Sequence, residues 1–295
     1  MIQGVLPALI TPFTKDNKID EEGLRKNIEF LIEGGVSGVV PCGTTGESAT
    51  LSIQEHERVI EITVEHSTVP VIAGTGSNNT VEAIELTESA EDSGADAALL
   101  ITPYYNKPND RGMIAHFKTI ANKVDIPLIL YNVPSRTGIN LKPEIVAELA
   151  KESNIAGIKE ASGNLEQVTR IIEMTQDEDF VVYSGDDALT LPILSLGGIG
   201  VISVVANVAP ALVVSMVEAF RRKDLEKARQ THIKLAPLVR AVFLETNPIP
   251  VKKAVELIGL PAGEPRLPLA PISCDRHRQR YRRGDQRRKI RYSCF

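Results

Sequence analysis

A lysine stands near the end of an apolar run, Asn154-Ile155-Ala156-Gly157-Ile158-Lys159-Glu160-Ala161-Ser162. The run has the composition of a buried strand, and burial of an ammonium lowers its pKa. A lysine so placed keeps a free amine near neutral pH, the nucleophile that Schiff-base chemistry needs. The competing reading is a charge marking the solvated end of a strand, because lysine is seldom fully buried. Other reactive types follow similar runs. Gly43-Thr44-Thr45-Gly46-Glu47-Ser48 sets two hydroxyls beside glycines that let backbone N–H groups converge on an anion. Tyr131 ends Pro127-Leu128-Ile129-Leu130-Tyr131, and Arg136 follows it with the planar fork that clamps carboxylates. Thr102-Pro103-Tyr104-Tyr105-Asn106 adds phenols, and Ser184-Gly185-Asp186-Asp187 adds two carboxylates suited to capping the next helix. Each motif also has a plain reading: a tight turn, a core phenol with one polar partner, a solvated loop charge, a cap.

The elements between these motifs decide whether they meet. Apolar runs at Val5–Ile10, Gly38–Cys42, Val69–Ala73, Ala97–Ile101, Pro127–Tyr131, Ile155–Lys159, Phe180–Tyr183 and Gly200–Val204 alternate with amphipathic stretches near 21–34, 52–66, 79–93, 110–123, 142–151, 164–175, 187–196 and 208–221. Alternation of this kind predicts a parallel sheet, and eight units predict closure into an α/β (β/α)8 barrel. An open doubly wound sheet is the runner-up. The first run, however, is followed by Thr11-Pro12-Phe13-Thr14 and not by a glycine loop for a dinucleotide. In a barrel, chemistry sits at the carboxyl ends of the strands. Lys159, Tyr131, Tyr104, Tyr105, the Thr44-Thr45 pair and Arg136 all fall there. Gly197-Gly198-Ile199-Gly200 precedes its strand, so it faces the other end. Two further helical stretches, about 224–243 and 248–258, are too short for an independent domain and are expected to pack on the barrel or on another subunit. The division is thus a catalytic barrel over 1–223, a helical extension over 224–273 and a basic tail over 274–295.

Composition narrows the function classes. Of 295 residues, 43% are hydrophobic but only 4% aromatic, and none is Trp, so the core is aliphatic, as suits strands buried on both faces. A net charge of −5 argues against general nucleic-acid binding. Nine basic residues against two acidic ones give 274–295 a charge of +7, leaving −12 for the remainder. Such a tail could meet an acidic surface; the simpler reading is an unfolded, self-repelling end. Three cysteines make no disulfide framework, which points to a reducing cytoplasm. The amino-terminal residues lack the basic region of a signal peptide, and no apolar run is long enough to cross a membrane. The five histidines fall in helices or the tail, so no metal is expected.

Taken in order, Gly43–Ser48, Pro103–Asn106, Tyr131-Asn132-Val133-Pro134-Ser135-Arg136-Thr137-Gly138, Gly157–Ala161 and Ser184–Asp187 resemble the dihydrodipicolinate synthase family of pyruvate-dependent class I aldolases, over about residues 1–273. The resemblance implies a lyase of lysine and diaminopimelate biosynthesis. Lys159 would form a Schiff base with pyruvate, with no separate cofactor, and the enamine would attack L-aspartate-4-semialdehyde. It implies Tyr131 as acid/base and Thr44 and Tyr105 as a proton relay, Tyr105 reaching in from a neighbouring subunit. A homodimer or dimer of dimers, that is a homotetramer, follows. It also implies that Thr45 holds the pyruvate carboxylate, that Arg136 holds that of the semialdehyde, and that Gly185 and Ile202 make backbone contacts near the imine. Arg136 separates this reading from N-acetylneuraminate and 2-keto-3-deoxy sugar-acid aldolases. A non-catalytic barrel that binds a keto acid is the reading from another class.

Two departures stand out. The family's feedback site for lysine matches Ser48, Ala49, His56, Asn78, Glu82 and Tyr104, but a second histidine expected there is Ile53, which cannot donate to a ligand carboxylate. Beyond Ser273 the family continues as an amphipathic helix and this sequence does not, so 274–295 is expected to lack the family's packed final helix.

Overall fold

The structure is a computed structural model and describes residues 2–272; the basic segment 274–295, and the expectation of a missing final helix, lie outside the described residues. Seven strands are β1 (Gly4–Pro7), β2 (Ile72–Gly74), β3 (Ala97–Ile101), β4 (Leu128–Asn132), β5 (Ile155–Glu160), β6 (Val181–Ser184) and β7 (Gly200–Ser203). All pair in parallel in the order β1-β7-β6-β5-β4-β3-β2. The gap between β1 and β2 is filled by residues 39 and 40, which bridge Val40 to Ala8 and Val39 to Val71. Main-chain bonds from Leu9 N to Val40 O (2.9 Å) and from Ile72 N to Val39 O (2.9 Å) close the ring.

The sequence predicts a full strand at Gly38–Cys42, and the structure keeps only two paired residues of it. Pro41 lacks an N–H donor, so beyond Val40 the pairing continues only one way, through Gly74 N to Pro41 O (3.0 Å). The expected eight-fold barrel is otherwise present.

The helices are α1 (Glu21–Glu33), α2 (Ile53–His66), α3 (Thr80–Asp92), α4 (Asp110–Ala121), α5 (Pro134–Thr137), α6 (Pro143–Leu149), α7 (Leu165–Met174), α8 (Thr190–Leu196), α9 (Pro210–Arg221), α10 (Leu225–Val242) and α11 (Ile249–Leu257). Side chains of Asp20, Ser52, Asn79, Asn109, Asn164 and Asp224 accept backbone N–H bonds at helix starts, which is why the turns before them break where they do. Leu6, Ile72, Leu99, Ile129, Tyr131, Tyr183 and Ile202 form an inner cluster, and the helices bury a second layer outside it. Alternation along each strand produces the two layers. Tyr183 donates its hydroxyl to Ile2 O (2.7 Å) at the amino-terminal rim, so it plugs the barrel floor; burial pushes its pKa up. From α10 and α11, Leu235, Val242, Val251 and Val255 join the cluster that holds Leu9 and Ile10.

Arg266, beyond α11, ties the chain back to α2. Its guanidinium donates to both Glu55 oxygens (2.8 and 2.6 Å) and lies 4.2 Å from the Phe13 ring centroid. The hydrogen bond from Arg266 is the main cause that lowers the Glu55 pKa from 4.5 to about 2. A depressed carboxylate pKa contributes stability above its ordinary value, lost as pH falls toward the folded one. Glu55→Gln keeps the capping box with Ser52 but removes the charge. It should cost about 1–2 kcal/mol at pH 7, roughly half of what the shift implies, because the side chain is partly exposed. Urea titrations should show the difference shrinking below pH 4.5; a constant difference down to pH 3 contradicts this role.

Candidate active site

On β5 Gly157 and Lys159 share the inward face, continued by Ala161 just past the strand, and Lys159 is the only long one of the three. The lysine is 5% exposed, and its Nζ sits 4.2 Å from the centroid of the Tyr131 ring. Tyr131 is its register partner on β4 and is also buried. The amine therefore rests on the face of the phenol ring, a cation–π arrangement, at the carboxyl end of the sheet. On the other side stands Gly185. A Cβ there would lie 3.0 Å from Lys159 Cγ and 2.8 Å from Ala161 Cβ, so glycine leaves the lysine its space. The Gly185 N–H donates to Glu160 O (2.8 Å). Glu160 alternates outward and is buried, taking bonds from Asn132 Nδ2 (2.9 Å), Gln167 Nε2 (3.2 Å) and the Ser162 N–H (2.6 Å). These bonds anchor the backbone next to Lys159.

Thr44 and Thr45 lie on a single 3₁₀ turn, Thr44–Gly46. Thr11 Oγ1 donates to Gly46 O (2.7 Å), and the Glu47 N–H donates to Thr44 O (3.2 Å) with Glu47 in the left-handed region at φ 57°. The Glu47 side chain is buried against Lys252 of α11. Lys252 Nζ donates to Glu47 Oε1 (2.7 Å), Thr11 O (3.1 Å) and Glu264 O (3.2 Å), which uses all three of its protons. Glu47 Oε2 accepts from the Arg266 N–H (2.8 Å). Arg136 rides α5, a one-turn helix started by Pro134 and ended by Gly138 at φ 72°. Its Nη2 donates to Asn247 O (2.8 Å), while Asn247 Nδ2 donates to Thr45 Oγ1 (2.9 Å).

Of the Asp186-Asp187 pair, Asp186 caps the following turn, accepting from Ala188 N (2.8 Å). Asp187 is buried instead and takes the Ser203 hydroxyl and the N–H groups of Val204 (2.9 Å) and Val205 (3.2 Å), so it fixes the chain just after Ile202. Burial raises its pKa against these bonds.

Tyr105 is the candidate that does not join the others within one chain. It is 89% exposed and its backbone holds φ 70°. The residues matched to a lysine site lie around α2, α3 and the 77–106 loops. His56 Nε2 is 2.7 Å from Gly74 O, and burial lowers its pKa while Glu82 pulls the other way. Asn78 Nδ2 donates to Tyr104 O (3.1 Å), Ser48 and Ala49 share one 3₁₀ turn, and Ile53 is half-exposed. Among the described residues no group of three His, Cys, Asp or Glu side chains is placed to hold a metal, and no helix is long and apolar enough to cross a membrane.

Sequence reasoning missed Asn247, Lys252 and the buried role of Glu47. Asn247-Pro248 signals only a turn, and Lys252 sits in an otherwise ordinary amphipathic pattern.

A closed ring of parallel strands with a buried lysine at its carboxyl mouth is the architecture of a (β/α)8-barrel enzyme. The Dihydrodipicolinate synthetase family matches residues 1–283, and the chain belongs to that family. A 4-hydroxy-tetrahydrodipicolinate synthase from Methanosarcina mazei is 65% identical over 273 residues, covering 92% of this chain and 94% of the relative. One from Methanothrix thermoacetophila is 63% identical, covering 92% of each. Among solved structures, a dihydrodipicolinate synthase from Aquifex aeolicus superposes with a TM-score of 0.91 at 44% identity, covering 95% of this chain and 96% of the other.

Proposed function

We propose that the protein is a 4-hydroxy-tetrahydrodipicolinate synthase, a lyase that condenses pyruvate with L-aspartate-4-semialdehyde in lysine and diaminopimelate biosynthesis. One observation carries the chemistry: Lys159 Nζ is buried at the barrel mouth against Tyr131. The amine adds to the pyruvate carbonyl and loses water, leaving an iminium that serves as the electron sink, so no separate cofactor is required. Loss of a methyl proton gives the enamine, whose carbon attacks the aldehyde of the second substrate. The amino group of that substrate then closes on the former carbonyl carbon and expels Lys159. Tyr131 carries protons at the imine, relayed through Thr44 and Tyr105. Thr45 takes the pyruvate carboxylate, Arg136 that of the semialdehyde, and the backbone of Gly185 and Ile202 lines the imine. Arg136 on its proline-started turn, and the names of the relatives, favour this reading over a sugar-acid aldolase.

Tyr105, exposed in one chain, completes the relay of a second copy, so the working unit is a dimer, paired again into a tetramer in the cytoplasm. Two assays test the reading. Turnover of pyruvate with the semialdehyde but not of N-acetylneuraminate is expected; the reverse selects a sugar-acid aldolase. Tyr105→Phe and Lys159→Ala proteins, each impaired alone, should regain activity when mixed and re-associated, because one mouth then holds both intact groups. No recovery from a verified mixed dimer removes the shared site.

A further inference from the structure

We infer that Asn247 is a positioning residue that sets the proton direction of Thr45 and thereby the grip on the keto-acid carboxylate. The inference rests on the role proposed above for Thr45. Asn247 lies in the link between α10 and α11, far along the chain from both residues it touches, and is 5% exposed. Its side chain donates to Thr45 Oγ1 (2.9 Å), and its backbone carbonyl accepts from Arg136 Nη2 (2.8 Å). Its Oδ1 is buried with no hydrogen-bond partner among the described residues.

A threonine hydroxyl has one proton and two acceptor positions. With an amide N–H directed at Oγ1, the proton of Thr45 must point elsewhere, and an anionic oxygen in the mouth is the acceptor that gains most from it. The opposite amide orientation would place Oδ1 at Thr45 and draw the hydroxyl proton away from the mouth. Side chain and backbone thus act on different substrates. The amide serves the keto acid through Thr45, and the carbonyl serves Arg136 whatever side chain stands at 247.

Asn247→Asp tests this with almost no change of shape. A carboxylate only accepts, so the Thr45 hydroxyl turns toward it. The KM for pyruvate should rise about 10-fold or more, and the pyruvate concentration needed for half-maximal borohydride trapping should rise with it, while the KM for the semialdehyde stays within about twofold. A pyruvate KM within about twofold of wild type, in a variant with unchanged melting temperature, overturns the proposal. If the aspartate variant does not fold, Asn247→Ala decides instead: it frees the hydroxyl without reversing it, and a rise of about threefold or more in pyruvate KM supports the proposal where no change refutes it. Thr45→Val separates the two levels. If Thr45→Val leaves pyruvate KM unchanged, the reading of Thr45 fails. If Thr45→Val weakens pyruvate and Asn247→Asp does not, only the role of Asn247 fails. With both roles correct, Asn247→Asp adds little in the Thr45→Val background.

Discussion

Replacing Lys159 with alanine is expected to lower turnover by about four orders of magnitude or more and to abolish the adduct that borohydride traps with pyruvate. The loss is this large under the proposed role of the side chain as covalent nucleophile: without it neither the iminium nor the enamine forms, and proton donors at the mouth have nothing to act on. Stability should move differently. Lys159 is 5% exposed and rests against a phenol ring, so truncating it takes a buried polar group out of the barrel mouth. The variant should melt at or above the wild-type temperature. Mass spectrometry of digested, borohydride-treated protein should place the wild-type adduct on Lys159. An adduct on another lysine, or turnover preserved in Lys159→Ala, would sink the mechanism.

Lys252→Met should destabilise the protein by about 3–5 kcal/mol, because it leaves the Glu47 carboxylate buried without its cation. Both side chains of the pair are 1% exposed. Burial lowers the Lys252 pKa, with Glu47 opposing the shift, so the ammonium depends on its partner. The same change should loosen the Thr44–Gly46 turn, which Glu47 ends, and raise the KM for pyruvate. Adding Glu47→Gln should restore most of the stability, since a neutral amide needs no counter-charge. Denaturant titration of the single and double variants measures both. A single variant within about 1 kcal/mol of wild type would show that the pair is not what anchors the turn.

The barrel was legible because strands covered on both faces read as short aliphatic runs, and because eight of them alternate with amphipathic stretches. Lys159 was legible for the same reason, as a charge where the pattern calls for an apolar residue. The strand at Gly38–Cys42, like those at Val5–Ile10 and Val69–Ala73, is shorter than its apolar run; Pro41 removes a ladder donor, a pairing effect that a single run does not reveal. The one-turn helix that carries Arg136 was hidden in a stretch read as loop. Asn247 and Lys252 were out of reach for a deeper reason: their partners Thr45 and Glu47 lie 202 and 205 residues away, and no local period encodes such a meeting.

That separation bears on the order in which a nascent chain becomes active. Lys159, Tyr131, Thr45 and Arg136 leave the ribosome early, and the ring of strands is complete by Ser203. The groups that hold the mouth in shape, Asn247, Lys252 and Arg266, are synthesised afterwards. A barrel caught between these two moments owns its proposed nucleophile but not the braces around it. The braces of the mouth are therefore made only after the ring of strands is complete.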